Sequence, residues 1–284
     1  MNIETNRRID AVLANAVARL AEVSDSARLD AEILLARTID MPRSYLFAHP
    51  EDELDERSFE QFAGLLQRRA DGEPMAYIMG TKEFWSHELM VNAATLVPRP
   101  ETELLVDLAL REIPRKADWQ ILDLGTGSGA LAIALASERM LCQITATDVS
   151  AAALAVAEEN ARHLCLGNVE FLAGHWTEPV RNRRFKVIVS NPPYVRADDP
   201  ALGELRHEPR SALVSGPDGL DAIRALAAEC AGILEPAGVL LLEHGADQQG
   251  EVSAILEAAG WSGISGFNDY AGLPRVTVAR RSGK

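Results

Sequence analysis

Gln120-Ile121-Leu122-Asp123-Leu124-Gly125-Thr126-Gly127-Ser128-Gly129-Ala130 decides the fold. A short apolar strand pattern runs into glycines at every second position, and the apolar run Ala130 to Ala136 follows. Glycine tolerates φ > 0 and has no Cβ, so a strand that turns through glycines into a helix lets the backbone approach a bound nucleotide closely. Downstream, strand and helix patterns alternate. Strands are predicted over 120–124, 143–147, 169–172, 185–190 and 239–243, with helices after the first two and over 219–233 and 249–259. The tail gives 264–267, a turn through Gly272 and Pro274, and 275–279, an antiparallel pair that would close the sheet. This alternation is the signature of an α/β sheet.

Upstream of the glycine segment, a helix is predicted from Glu101, just after Pro98 and Pro100. Between Lys82 and Leu96, short β-type runs at 83–85 and 89–92 read as a hairpin. Before Gly72, Glu73 and Pro74 the pattern is helical. Ile9, Val12, Leu13, Ala16, Val17 and Leu20 share one face of a helix; a second fits 26–39, ended by Pro42; a third fits 52–70, with Leu54, Phe59, Phe62 and Leu65 inward. The expected organisation is a helical domain over 1–75, a linker with a β-hairpin over 76–97, and an α/β domain over 98–284.

Composition bounds the function. Lys and Arg number 28 against 42 Asp and Glu, a net charge of −14 over 284 residues. Affinity for DNA or RNA comes mainly from cations that displace counterions, so this balance argues against a phosphate-led nucleic-acid binder. The apolar stretches, such as 129–136 and 239–242, fall far short of the roughly 20 residues of a membrane-spanning helix. The polar start, Met1 to Asp10, lacks the apolar centre of a secretory signal, so a cytoplasmic location is expected. Cys142, Cys165 and Cys230 form no C-x-x-C pair and the six histidines no H-E-x-x-H, so neither disulfide framework nor metal is expected.

The second predicted strand runs into Asp148, placed to accept hydrogen bonds from ribose hydroxyls. Two cofactors compete for this arrangement. Read as G-x-G-x-x-A the loop fits a dinucleotide; read as D-x-G-x-G-x-G it fits adenosylmethionine, which brings no pyrophosphate. Ser190-Asn191-Pro192-Pro193-Tyr194, at the end of the apolar strand Val187-Ile188-Val189, separates the two. Two prolines fix the backbone and withhold donors. What remains is acceptors, the Asn191 side-chain oxygen and the Pro192 carbonyl, with the Tyr194 ring beside them. Such a seat suits a planar NH₂ group. The nitrogen of an amide or exocyclic amine is a poor nucleophile because its lone pair is conjugated. Two acceptors aim that lone pair at a sulfonium methyl and stabilise the positive charge that grows on nitrogen, to which Tyr194 adds cation–π attraction. No general base is needed before attack.

With these residues the chain resembles the HemK/PrmC family of N5-glutamine methyltransferases, which modify the Gly-Gly-Gln glutamine of class-one peptide chain release factors. The resemblance extends to Gly72-Glu73-Pro74 with Ala76-Tyr77-Ile78 and Gly80, Glu83-Phe84-Trp85, Val97-Pro98-Arg99-Pro100-Glu101-Thr102-Glu103, Glu208-Pro209, Asp218-Gly219-Leu220 and Glu243-His244-Gly245. It implies a seven-stranded Rossmann-like, adenosylmethionine-dependent methyltransferase domain with a small all-helical N-terminal domain that docks the release factor. It also implies a cofactor site at Asp123, Gly125, Thr126, Gly127, Ser128, Gly129, Asp148, Trp176 and Asn191. Asn191, Pro192, Pro193 and Tyr194 would hold the substrate, with Asn191, Pro192 and Tyr194 catalytic, and a monomer is expected. His175 stands where relatives often carry an acid. An N6-adenine DNA or RNA methyltransferase is the alternative, since adenine offers the same donor pair; the acidic balance argues against it. Arg181, Arg183 and Arg184 read as a solvated loop, Arg99, Glu101 and Glu103 as a helix start, and Glu243 and His244 carry no assigned role.

Overall fold

The computed structural model describes residues 6–281. It divides into two compact units between Met79 and Gly80. The first holds helices α1 (Ile9–Leu20), α2 (Ala27–Thr38), α3 (Arg43–Ala48), α4 (Glu56–Ala70) and α5 (Met75–Met79). Ile9, Val12, Ala16 and Leu20 of α1 meet Leu34 and Leu35 of α2 and Phe62 and Leu66 of α4 in one core, against which Leu13, Val17, Phe59 and Leu65 pack at the margin. The sequence pattern over 52–70 contains a start signal inside it: Asp55 accepts a hydrogen bond from the Ser58 amide at 2.8 Å, so α4 begins at Glu56 rather than Asp52. Asp52 instead accepts the Tyr45 hydroxyl at 2.6 Å. Tyr45 belongs to α3, one short turn after Pro42 that the helical periodicity did not reveal.

In the second unit a two-stranded hairpin, β1 (Thr81–Phe84) and β2 (His87–Met90), precedes helix α6 (Glu103–Glu112). Trp85 and Ser86 form the hairpin turn, both with positive φ, 50° and 59°. Such a turn usually takes Asn or Gly, because both central positions are left-handed. Here the Trp85 amide donates to the Glu103 carboxylate at 2.8 Å, holding the turn from outside. The predicted strand over 83–85 therefore ends at Phe84.

The main sheet has seven strands: β3 (Gln120–Leu124), β4 (Gln143–Asp148), β5 (Val169–Ala173), β6 (Phe185–Ser190), β7 (Leu234–Glu243), β8 (Trp261–Asn268) and β9 (Pro274–Arg281). Their order is β5-β4-β3-β6-β7-β9-β8, the first five parallel and β9 antiparallel to both neighbours. The seven-stranded sheet that the resemblance implies is thus present. β7 starts five residues before its predicted Val239, because Leu234 pairs with Phe185 ahead of a register shift. Side chains alternate across the sheet. Ile121, Val187, Val189, Val239 and Leu241 face the core shared with α6, α7 (Ala130–Glu138) and the hairpin; Leu122, Leu124, Ile188, Leu240 and Leu242 face the core shared with α9 (Asp221–Ile233) and α10 (Gln249–Ala258).

Leu124 pairs with Thr147 on one side and with Ser190 on the other. Three adjacent strands therefore end level, and the glycine loop, Asp148 and Asn191 follow from them side by side. Open α/β sheets bind ligands at this kind of switch point, where the crossovers run in opposite directions.

Asn160, buried on α8 (Ala151–His163), ties the loop to the hairpin. Its Nδ2 donates to the Met90 carbonyl at 3.0 Å and to the Ser128 carbonyl at 2.9 Å, and its Oδ1 accepts the Met90 amide at 2.7 Å. Asn160→Ala leaves three backbone groups unpaired, each worth about 1 kcal/mol or more when buried. A urea titration should show a lower midpoint at unchanged slope, a loss of roughly 2–4 kcal/mol; an unshifted midpoint would contradict this role.

Candidate active site

The glycine loop is pinned at its start. The amides of Gly125 and Thr126 both donate to the Thr147 carbonyl, at 2.9 and 3.0 Å. Gly127 then donates to Asp148 Oδ2 at 2.9 Å, while the Ser150 amide donates to Oδ1 at 2.8 Å. Gly125, Gly127 and Gly129 take φ of 74°, 58° and 85°, the left-handed region. Gly125 is required twice over, since a Cβ there would also lie 3.3 Å from the Trp176 ring. Trp176 crosses the loop in a left-handed conformation of its own, φ 44°, with its carbonyl accepting the Thr147 hydroxyl at 3.2 Å. His175 is exposed and meets the Trp176 ring edge-on at 5.5 Å.

A cavity of about 520 Å³ opens over this loop, within the roughly 300–1,000 Å³ of small-molecule sites. Gly125, Gly127, Asp148, Trp176, Asn191 and Pro193 line it. Asp123 does not. It lies fully buried beneath the loop, where its Oδ2 accepts the Thr126 hydroxyl at 2.6 Å and the Ala132 amide at 3.2 Å. Burial, with Asp148 nearby, pushes its carboxyl from 3.8 up to about 7 against those two hydrogen bonds, and Oδ1 has no partner among the described residues. Asp123 and Thr126 thus form a strut that shapes the loop; Ser128 and Gly129 lead into α7 outside the cavity wall.

The segment after β6 is held just as firmly. The Ser190 hydroxyl donates to the Leu124 carbonyl at 2.7 Å. Asn191 Nδ2 donates to Thr102 Oγ1 at 3.1 Å, which leaves Oδ1 as the acceptor the side chain can offer. Pro192 is buried, and none of the described residues donates to its carbonyl. The Tyr194 carbonyl accepts Gln248 Nε2 at 3.0 Å, and Gly219 packs so closely that a Cβ there would be 2.2 Å from that oxygen. The Tyr194 hydroxyl reaches Glu243 Oε1 at 3.4 Å. Burial first, and Glu243 second, push the phenol well above its usual range. Tyr194 borders a second cavity of about 600 Å³ rather than the first.

Sequence patterns missed two parts of this site. Thr102 meets Asn191 and Glu243 meets Tyr194 from distant segments, contacts that no spacing along the chain expresses. Part of the remaining wall comes from 209–216, which carries Pro209, Ser211, Val214 and Ser215 to the cavity. That segment is tied down by Glu208, whose buried carboxylate pairs with Arg99 and accepts the Val97 amide at 3.0 Å. The Glu208-Pro209 and Val97-Pro98-Arg99 fragments were the available signal.

Comparisons with known proteins agree with this geometry. Residues 11–80 match the family model described as the PrmC N-terminal domain, and residues 101–216 the methyltransferase small domain. The release factor glutamine methyltransferase of Pseudomonas aeruginosa is 48% identical over 90% of this chain and 94% of its own length; that of Xylella fastidiosa (strain Temecula1) is 46% identical over 90% and 94%. A methyltransferase from Pyrococcus furiosus shares the fold at a TM-score of 0.54 and 20% identity, covering 79% of this chain and 99% of its own. The chain belongs to the release factor glutamine methyltransferase family.

Asp123 gives the fold a pH dependence of definite sign. Its carboxyl holds a proton up to about pH 7 when folded but only to 3.8 in its ordinary state. Between those values the folded chain binds more protons, so its contribution to stability is present below pH 3.8 and is lost as pH rises toward 7. Asp123→Asn should flatten the melting temperature between pH 5 and 8; an equally steep profile in the variant would refute the assignment.

Proposed function

We propose that Asn191 and Pro192 are the acceptors that aim a glutamine side-chain amide in this chain's reaction, the transfer of methyl from S-adenosylmethionine to that amide's nitrogen, N5. The glutamine is that of the Gly-Gly-Gln motif of class-one release factors. The observation that supports this reading is the pairing of Asn191 Nδ2 with Thr102, which leaves the asparagine's oxygen available as an acceptor. The residues present fit the cofactor. Asp148 offers carboxylate lone pairs to ribose hydroxyls, Trp176 a flat ring to the adenine, and Gly125 and Gly127 a wall without side-chain bulk for the methionine part.

S-adenosylmethionine supplies an electrophilic methyl on a positively charged sulfur. The protein's part is positioning and charge stabilisation. Asn191 Oδ1 and the Pro192 carbonyl would each accept one hydrogen of the amide NH₂, holding the nitrogen with its lone pair free for the methyl donor. When bound, the donor would give its methyl carbon to that nitrogen and keep the carbon–sulfur electron pair as a neutral thioether. Positive charge passes to nitrogen, where both acceptors favour it, and the nitrogen then releases one proton to become a neutral secondary amide. Pro193 keeps the segment rigid. The helical unit supplies a docking surface for the release factor.

Labelled S-adenosylmethionine incubated in separate arms with release factor, DNA and RNA should label the release factor alone; label only in nucleic acid would overturn this reading. Asn191→Ala should slow methyl transfer roughly a hundredfold or more, the scale of a lost transition-state partner, while cofactor affinity stays within a few fold. Asp148→Ala should weaken S-adenosylmethionine binding by calorimetry, and unchanged affinity would remove Asp148 from the ribose site.

A further inference from the structure

The segment from Asn191 to Tyr194 has little backbone of its own to hold it. Pro192 and Pro193 have no N–H, so the two residues at its centre can enter hydrogen bonds only through their carbonyls. One end is anchored: the Ser190 hydroxyl donates to the Leu124 carbonyl at 2.7 Å, and Asn191 Nδ2 donates to Thr102 Oγ1 at 3.1 Å. The other end is gripped through the Tyr194 carbonyl, which accepts Gln248 Nε2 at 3.0 Å. From there the chain joins 213–215, where the Val195 amide donates to the Leu213 carbonyl at 2.8 Å.

Three backbone groups engage the Gln248 amide. Besides the Tyr194 carbonyl, Nε2 reaches the Asp218 carbonyl at 3.4 Å, and Oε1 accepts the Gly245 amide at 2.9 Å. Two carbonyls and one N–H leave the side chain a single orientation, because turning it over would set oxygen against both carbonyls and NH₂ against the N–H. Gln248 is 8% exposed, and its own carbonyl accepts the Val252 amide at 2.9 Å in the first turn of α10, whose Val252 and Leu256 lie in the core under the sheet. The clamp is therefore mounted on a packed helix. Gly219 closes over the same bond: at φ 78° a Cβ there would lie 2.2 Å from the Tyr194 oxygen and 2.8 Å from Gln248 Nε2, so the position requires glycine.

We infer that Gln248 is a positioning residue for the methyl transfer: by holding the Tyr194 carbonyl it fixes the segment whose Pro192 carbonyl accepts the substrate amide. The inference rests on the function given above, and extends it to a residue that borders the second cavity and not the one over the glycine loop.

With φ locked at two prolines and both ends held, few backbone rotations remain between Asn191 and Tyr194. Release of the Tyr194 end restores them, and the Pro192 oxygen no longer has one fixed place. A misplacement of about 1 Å in such a group can slow a reaction roughly a hundredfold. Cofactor binding is spared, because Asn191 keeps its bond to Thr102 and the glycine loop, Asp148 and Trp176 belong to β3, β4 and the segment after β5. The loss therefore falls on the chemical step.

The test compares the intact chain with Gln248→Met and Gly219→Ala, using S-adenosylmethionine and release factor. Methionine is near glutamine in size but has no N–H to donate, whereas alanine at 219 crowds the same oxygen with Gln248 still present. Each variant should lower kcat roughly tenfold or more, while the calorimetric affinity for S-adenosylmethionine stays within a few fold. Amide hydrogen exchange read by mass spectrometry should quicken in peptides covering 194–197 and stay unchanged in those covering the glycine loop. Methyl transfer by the unaltered chain checks the function itself; the exchange measurement needs no substrate and judges the clamp separately. Melting temperatures distinguish these effects from misfolding, and Gly219→Ala carries the test alone if Gln248→Met does not fold. A folded Gln248→Met enzyme with unaltered kcat, one whose cofactor affinity falls in step with kcat, or one with unaltered exchange over 194–197, overturns the inference.

Discussion

Leu124 faces Thr147 across one ladder and Ser190 across the other, and that register is the constraint from which the site is built. Three parallel strands stop level, so the next residue of each is delivered to the same edge: Gly125, Asp148 and Asn191. A shift of one residue in either ladder would move a group to the opposite face of the sheet. The apolar alternation on both faces prevents it, because Ile188 and Leu122 must enter one core while Val187 and Ile121 enter the other. Packing far from the cavity thus fixes which atoms meet inside it.

Local patterns carried much of this in the sequence. The strand at 120–124, the glycines after it and the apolar strand before Asn191 are each continuous in the chain, and the main-sheet strands at 120–124 and 185–190 stand where the pattern put them. What escaped has long-range causes. Trp85 and Ser86 turn left-handed without glycine because Glu103 holds the Trp85 amide. β7 begins early because Leu234 finds Phe185. Thr102 meets Asn191 across 89 positions of sequence, a contact no spacing rule expresses. The glycine fingerprint also groups residues that the structure separates: Gly125 and Gly127 face the cavity, whereas Asp123 and Thr126 work underneath.

Two buried acids flank the seat in different ways. Asp123 is roofed by the loop and bonds to its hydroxyl and to the first turn of α7; its effect is on the shape of the backbone. Glu243 lies at the end of β7, where its Oε1 accepts the Tyr194 hydroxyl. Burial pushes both carboxyls up, so protonation at either one is coupled to the stability of the fold. Both acids lie in the methyltransferase unit of a member of the release factor glutamine methyltransferase family.

The single side chain of Asn160 holds a strand of the hairpin with one hand and the glycine loop with the other. Two surface features that look separate are therefore one cooperative piece. The hairpin strand and the glycine loop thus share one anchor, and loss of the Asn160 side chain would release both at once.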